Sequence, residues 1–136
     1  MSNLILEVTK AKHKFIDVPT FKTGDTVEVF VKVKEGEKER IQKYRGLVTK
    51  IQGADMSKSF TVRKMSGGVG VERTFPFASP AIDKIELISE GVVRRSRLFY
   101  LRDLIGKKAR IESTLVSEDS PKAAAKKADT AEVVKQ

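Results

Sequence analysis

The residues best suited to chemistry in this chain are cations that cluster between residues 94 and 110, here called the basic segment. It holds seven basic residues and one acid, Asp103, and so carries +6 of the chain's net charge of +9. The basic residues are Arg94, Arg95, Arg97, Arg102, Lys107, Lys108 and Arg110. Five of the seven are arginines, whose planar guanidinium groups bind phosphate oxygens in pairs and stack on bases. The pattern favours nucleic acid as the partner, and the alternative is a solvated charged face.

Other kinds of chemistry lack the residues that they need. The only histidine is His13, and no second candidate pairs with it as a base or a metal ligand. The chain has no cysteine, which removes thiolate ligands, thiol nucleophiles and disulfides. The glycines of residues 66–70, SGGVG, precede a predicted strand, whereas a phosphate-binding glycine loop leads into a helix. The sequence therefore predicts no enzymatic activity, no cofactor, no metal and no small-molecule substrate.

Alternating patterns between residues 27 and 89 predict the scaffold that positions the basic segment. Apolar and polar residues alternate at Val27, Val29, Val31 and Val33, as in a half-buried strand. Further strands are predicted at residues 40–51, 59–65, 71–77 and 81–89, with glycines in several of the intervening turns. Gly46 lies inside the second strand and indicates a bulge, a bend or a close backbone approach. Short strands at intervals of about ten residues predict a mainly β fold, a small antiparallel barrel.

The two ends of the chain have a different character. Apolar residues recur at helical spacing from Ser2 to Phe15, which predicts a short N-terminal helix that stops before Asp17. Residues 112–136 contain no aromatic residue and are rich in alanine, lysine and acid, so we expect a flexible extension after one domain at residues 1–111. The charges at Glu7 and Lys10 are not typical of a signal peptide, and no apolar run approaches the ~20 residues that span a bilayer, so we expect no membrane partner.

The backbone of the basic segment is ambiguous. Leu98, Leu101 and Ile105 would line one side of a helix, whereas alternation from Val93 to Phe99 would fit a strand. We favour a strand into about Arg95, followed by a short helix across Leu98 to Ile105. Burial of the three apolar residues would leave the arginines outside, on a rigid cationic edge. Two adjacent aromatic residues usually place one ring in the core, so Tyr100 and Phe99 have base stacking or core packing as alternatives.

Four stretches of the chain resemble one protein family. They are DVPTFKTGDTVEV at residues 17–29, YRGLV at 44–48, SFTVRKMSGGVGVERTFPFASPAIDKIEL at 59–87 and GVVRRSRLFYLRDLIGKKARI at 91–111. Their order, and the pairing of SFTVRK with GVER and of RLFYLR with GKKARI, are similar to the bacterial large-ribosomal-subunit proteins of the L-nineteen family. The resemblance spans residues 3–111. Ala78 departs from it, because many members have a histidine before the Ser-Pro.

The resemblance implies a structural constituent of the large ribosomal subunit, located in the cytoplasm, in the ribosome. Its fold would be an SH3-like antiparallel barrel of the translation-protein type with a short N-terminal helix. It would bind large-subunit rRNA at the subunit interface beside an L-fourteen-family ribosomal protein, and would reach small-subunit rRNA in intersubunit bridges. The residues at matching positions, which we expect to contact rRNA, are Arg63, Lys64, Arg73, Arg94, Arg95, Arg97, Tyr100, Arg102, Lys107, Lys108 and Arg110.

Two other functions fit a small basic barrel. One is a transcription or DNA-associated factor, which would use the same cationic side chains. The other is an adaptor that holds a peptide in a groove, but such a groove needs an aromatic shelf. The chain has no tryptophan and only two tyrosines, Tyr44 and Tyr100, so the adaptor is the weaker alternative.

Overall fold

The computed structural model describes residues 18–115 together with the isolated positions Leu4, Glu7 and Val8. Between residues 18 and 115 the chain forms six strands and three short 3₁₀-helices. The strands are β1 (Thr26–Glu35), β2 (Lys38–Gln52), β3 (Ser59–Ser66), β4 (Val69–Pro76), β5 (Ile82–Gly91) and β6 (Ser113–Leu115). The 3₁₀-helices are η1 (Asp55–Ser57), η2 (Phe99–Arg102) and η3 (Gly106–Ala109). No helix in the described part of the chain is long and apolar enough to cross a bilayer.

All six strands belong to one antiparallel sheet in the order β4-β3-β2-β1-β5-β6. The prediction of a mainly β chain with five strands between residues 27 and 89 is thereby confirmed. The β3–β4 hairpin shows how local sequence sets the register. Its turn is Gly67-Gly68, both with positive φ, which is the backbone that two-residue hairpin loops require. Ser66 therefore lies opposite Val69, and Arg63 lies opposite Glu72.

The sheet does not close into a barrel, so the prediction of a small barrel is wrong on this point. Its edges are β4 and β6, and these two strands are not hydrogen-bonded to each other within residues 18–115. Closure would need a continuous ladder between them. The strand β6 has only three residues and pairs only with the last three of β5, so it leaves β4 unreached.

The predictions for the two ends of the chain fall largely outside the described residues. The N-terminal helix predicted from Ser2 to Phe15 is described only at Leu4, Glu7 and Val8, and it stays a prediction. At the other end, β6 forms within the segment that was predicted to be an extension. Residues 116–136 lie outside the described residues, so the domain boundary at residue 111 also stays a prediction.

One face of the sheet carries the main core, to which five strands contribute. Its buried side chains are Val27, Val29, Val31, Tyr44, Val48, Phe60, Val62, Phe75, Ile82 and Ile85. The spacing of two between the valines of β1 explains why that strand supplies three of them. Phe60 is fully buried, and its ring centroid lies 4.8 to 5.5 Å from those of Phe21, Phe75 and Phe77. This aromatic cluster joins β3 and β4 to the segment that precedes β1.

Asp25 connects the beginning of β1 to the end of β5, three residues before the basic segment. Its side chain is buried, and both carboxylate oxygens accept hydrogen bonds from backbone N–H groups. Oδ2 accepts from Lys22 and Oδ1 from Gly91, each at 2.9 Å. A Cβ at Gly91 would overlap the carbonyl oxygen of Gly24, so the two chain segments can meet only because glycine has no side chain. The exit from β5 is thus held at a defined place.

Candidate nucleic-acid interface

The basic segment crosses the face of the sheet opposite the main core. In β3, Val62 points into the core, so Arg63 beside it points to the opposite face, as does its cross-strand partner Glu72. Arg102, in the basic segment, bonds to Glu72 and therefore lies on that face. Leu98 is buried there as well, without belonging to the main core cluster. The basic segment is thus part of the folded structure.

A bulge in β2 provides an attachment point for the segment. Val48 pairs with Val62 and Lys50 with Thr61, so Thr49 is an extra residue with no partner in the ladder. The Thr49 carbonyl is therefore free to accept a hydrogen bond from the Leu98 N–H at 2.9 Å. The Thr49 hydroxyl donates to the carbonyl of Thr61 at 3.3 Å, which satisfies the buried side chain. The bulge thus holds one end of η2 on β2.

Gly46, four residues along β2 from Lys50, permits the close packing that the sequence indicated. A Cβ at this position would overlap the backbone carbonyl of Arg63, on the neighbouring strand. Of the three alternatives for Gly46, the close backbone approach is confirmed, and the bulge lies further along the strand.

The backbone of the basic segment differs from the prediction. The strand ends at Gly91 and does not continue to Arg95, and η2 with η3 replaces one helix from Leu98 to Ile105. Residues three apart eclipse each other in a 3₁₀-helix, so η2 needs only Leu98 and Leu101 to cover one side. Both are buried as predicted, but Ile105 is exposed and has extended backbone.

Most cations of the basic segment are exposed and have no ion pair or side-chain hydrogen bond with the described residues. These are Arg94, Arg95, Arg97, Lys107, Lys108 and Arg110. Arg95 alone among them lies over a ring, with its guanidinium carbon 5.1 Å from the centroid of Tyr100. The two residues line an open groove with Val92, Val93 and Arg94. The geometry leaves these cations free to meet an external anion.

Both aromatic side chains of the segment lie at the surface. Phe99 is 40% exposed and Tyr100 is 37% exposed, so of the two alternatives for these rings, base stacking or core packing, neither ring takes the core position. Leu98 and Leu101 occupy the buried positions of η2 in their place. The Phe99 ring has Arg102 at 4.9 Å and Lys50 at 5.8 Å from its centroid. The rRNA contacts expected from the sequence include Tyr100 but not Phe99, and they do not include Lys50. A 3₁₀-helix with buried residues three apart would have placed both rings outside.

Two of the predicted contact residues, Arg63 and Arg102, share the carboxylate of Glu72. Arg102 donates from Nε to Oε1 at 2.9 Å and from Nη2 to Oε2 at 2.7 Å. Arg63 donates from Nη1 to Oε1 at 3.2 Å. The hydrogen bonds from Arg102 hold the pKa of Glu72 below its ordinary value, assisted by the bond from Arg63 and opposed in part by burial. The same bonds to Glu72 raise the pKa of Arg102.

Lys64 and Arg73 lie on the other face of the sheet from Arg63. They share the face of the sheet that carries Tyr44 of β2 and Phe75 of β4. The Lys64 ammonium is 4.5 Å from the ring centroid of Tyr44, and the Arg73 guanidinium carbon is 5.0 Å from that of Phe75. The structure therefore separates the predicted contact residues into two groups on opposite faces.

These features define a small basic β-sheet protein that holds a cationic segment in place on its surface. The family model described as "Ribosomal protein L19" matches residues 3–114. A curated relative, the large ribosomal subunit protein bL19 of Bdellovibrio bacteriovorus, is 66% identical over 117 residues, which is 85% of this chain and 94% of that protein. The chain belongs to the ribosomal protein L19 family, which confirms the predicted family. It is accordingly a structural protein of the ribosome, in the cytoplasm, and not an enzyme.

Proposed function

We propose that this protein binds rRNA of the large subunit at the subunit interface and contributes to intersubunit bridges. One observation carries the proposal: the free cations of the basic segment stand on backbone that is fixed to the sheet. Leu98 and Leu101 anchor that backbone by burial, and the hydrogen bond to Thr49 holds it on β2. Membership of the ribosomal protein L19 family supports ribosomal RNA over DNA as the polyanion.

The mechanism is electrostatic and involves no reaction. Each ammonium or guanidinium group that meets a phosphate releases condensed counterions, which favours binding without any demand on base sequence. Because the segment is already ordered in the protein, binding does not have to order its backbone, and less affinity is lost to conformational entropy. A structural protein of this kind would hold rRNA in one shape.

We assign the direct phosphate contacts to the cations that have no internal ion pair. On the face of the basic segment these are Arg94, Arg95, Arg97, Lys107, Lys108 and Arg110. Lys64 and Arg73 would form a second contact region, on the opposite face. The exposed rings of Phe99 and Tyr100 would stack on unpaired bases, since single-stranded rRNA bases are commonly recognised by aromatic and arginine planes.

The remaining partners rest on the family resemblance. We propose an L-fourteen-family ribosomal protein as the neighbour and small-subunit rRNA as the ligand across the interface. The same proposal includes three structural features. These are a single domain over residues 1–111 followed by an extension, an N-terminal helix, and a sheet related in fold to SH3-like domains. The name of the curated relative, a large-subunit protein, supports the placement in that subunit.

Sedimentation of cell lysates tests the ribosomal placement. The tagged chain should migrate with large subunits and whole ribosomes, and it should be absent from free small subunits. Recovery with DNA alone would reject the proposal in favour of a DNA-associated factor. The bridge is tested by comparing crosslinks in isolated large subunits with those in whole ribosomes, where small-subunit rRNA should appear only in the latter.

Photo-crosslinking tests which surface faces rRNA. A benzophenone amino acid at Val92, an exposed residue of the groove beside Arg94, should crosslink to large-subunit rRNA in purified subunits. The matched control is the same amino acid at Ile41, which is also exposed but lies on β2 near the β1–β2 hairpin loop. Crosslinks to rRNA from position 41 with none from position 92 would overturn the assignment of the basic segment to the interface.

A further inference from the structure

Glu72 places a carboxylate within the surface that we propose for rRNA. A free carboxylate there would repel phosphate, but this one is only 21% exposed, and three guanidinium N–H groups point at its two oxygens. Arg102 forms a bidentate pair with it, which is the strongest geometry for an arginine and a carboxylate. The Glu72 carboxylate is therefore bound by arginines of the protein itself and does not face an incoming phosphate as a free charge.

The position of Glu72 relative to Thr49 indicates that role. Thr49 holds Leu98 on β2, while Glu72 holds Arg102 on β4, two strands away. Neighbouring strands are about 4.8 Å apart, so the two attachment points span about 10 Å. Four residues of a 3₁₀-helix advance about 8 Å, and the arginine side chain covers the remainder. The turn η2 is thus held at both ends across β3.

Arg63, on the neighbouring strand β3, is the second arginine that binds Glu72. Its side chain is only 16% exposed, and a Cβ at Gly70 would overlap its guanidinium group. Gly70 thus leaves room on β4 for Arg63 to lie flat beside Glu72. With Arg63 and Arg102 on one carboxylate, the group of three charges keeps a net charge of +1.

We infer that Glu72 is a positioning residue for rRNA binding, and that Arg63 and Arg102 act on Glu72 rather than on phosphate. The three side chains form a clamp that holds η2 across the sheet and keeps Phe99 and Tyr100 at the surface. The inference rests on the proposed function, because it names rRNA as the ligand of the clamped segment. It reassigns two residues that the sequence placed in direct contact with rRNA.

The clamp and simple repulsion predict opposite results for Glu72→Gln. If Glu72 only repels phosphate, removing its charge strengthens binding. If it positions the segment, the variant weakens binding to a large-subunit rRNA fragment by about two- to fivefold, within the range expected for a part-exposed ion pair. The dependence of log Kd on log salt should keep its slope in Arg102→Gln, whereas each lost phosphate contact would lower it by about 0.7 to 0.9.

Amide hydrogen exchange of the free protein supplies a readout that needs no RNA. In Glu72→Gln, the amides of residues 98–104 should exchange faster, while those of the central strands keep their rates. The matched control is Glu86→Gln, which removes another acid paired with a cation, Lys84, and should leave residues 98–104 unchanged. Exchange of that turn at the wild-type rate in Glu72→Gln would overturn the clamp whatever the RNA experiments show.

A double-mutant cycle separates the clamp from independent effects. Glu72→Gln and Arg102→Gln should each accelerate exchange of the turn, and the double variant should add little to either, since both break one interaction. Additive effects would overturn the inference. Arg102 is 54% exposed, so Arg102→Gln keeps the test available if loss of Glu72 prevents folding.

Discussion

Replacing Arg94, Arg95 and Arg97 with alanine should flatten the salt dependence of rRNA binding. All three side chains are exposed, and none has an ion pair among residues 18–115. Each is therefore free to contact one phosphate. A lost contact lowers the slope of log K against log salt by about 0.7 to 0.9, so three contacts lower it by about 2.1 to 2.7. Between 0.05 and 0.2 M salt, the wild type would lose about 20- to 40-fold more affinity than the variant.

The assay is fluorescence anisotropy with a labelled large-subunit rRNA fragment at four salt concentrations. Its control is a charge-matched variant in which Lys34, Arg40 and Lys43 become alanine. Each of these cations lies within 4.0 Å of a carboxylate oxygen, in the pairs Lys34–Glu39, Arg40–Glu35 and Lys43–Glu28. We expect this control to keep the wild-type slope, because its cations are already paired and lie on β1 and β2.

Two results would refute the reasoning. An unchanged slope in the arginine variant would mean that these side chains face water in the complex. An equal decrease in both variants would mean that net charge at long range, and not contact with phosphate, sets the salt dependence.

Three further predictions concern stability. Gly46→Ala should lower the free energy of unfolding by about 1–3 kcal/mol in denaturant titrations, because its Cβ would overlap the carbonyl of Arg63. Asp25→Ala should lower it by at least about 2 kcal/mol in the same assay, because two backbone N–H groups, of which that of Gly91 is buried, lose a charged acceptor. The pKa of Glu72 is depressed in the fold, so its stabilising contribution is present above the ordinary glutamate pKa of about 4.3 and is lost as pH falls through the folded pKa. Thermal unfolding should therefore show the wild type and Glu72→Gln converging in acid.

Each of these has a defined contrary outcome. A neutral Gly46→Ala would show that β2 and β3 can separate without cost. An Asp25→Ala variant as stable as the wild type would show that solvent replaces the carboxylate in that turn. A stability difference for Glu72→Gln that stays constant from neutral to acid pH would show that the charge of Glu72 contributes nothing to the fold.

The strands could be predicted because burial on one face imposes a period of two. The valines of β1 show this directly, since Val27, Val29 and Val31 are all in the main core. The same pattern carries no information on whether the sheet closes, because it specifies which side chains face inward and not which edges meet. Closure depends on the length and register of β6, and this strand has no apolar alternation to reveal it.

The burial of Leu98 and Leu101 was predictable, while the backbone that buries them was not. Both an α-helix and a 3₁₀-helix place residues three apart on nearly one side. Only the 3₁₀ turn makes Ile105 unnecessary and sends Phe99 and Tyr100 to the surface. The hydrogen bond from Leu98 to the bulged Thr49 fixes the residue at which this turn begins, and it is a tertiary contact that local sequence does not specify.

The sequence predicted which residues form the site better than it predicted which of them pair with an acid and which stay free. Seven cations in seventeen residues indicate a polyanion, but a count does not distinguish a free arginine from a paired one. Of the two arginines that pair with Glu72, one could have been identified from the sequence. A two-residue turn at Gly67-Gly68 places Arg63 opposite Glu72 by counting outward from the hairpin. The other partner, Arg102, is thirty residues from Glu72 in the sequence, and only the fold brings the two side chains together.

A cationic RNA-binding surface has to combine attraction to phosphate with an ordered backbone, and these two requirements oppose each other. Every exposed arginine adds attraction to phosphate but loses up to about 2 kcal/mol of side-chain entropy when it is fixed. A segment of unpaired cations also repels itself, which would oppose a compact turn at η2. One carboxylate at Glu72 reduces that repulsion and fixes the turn from its far end. The acid lowers the net charge by one and leaves the exposed arginines on ordered backbone, so on this view an acidic residue in the middle of a basic surface increases its affinity for RNA.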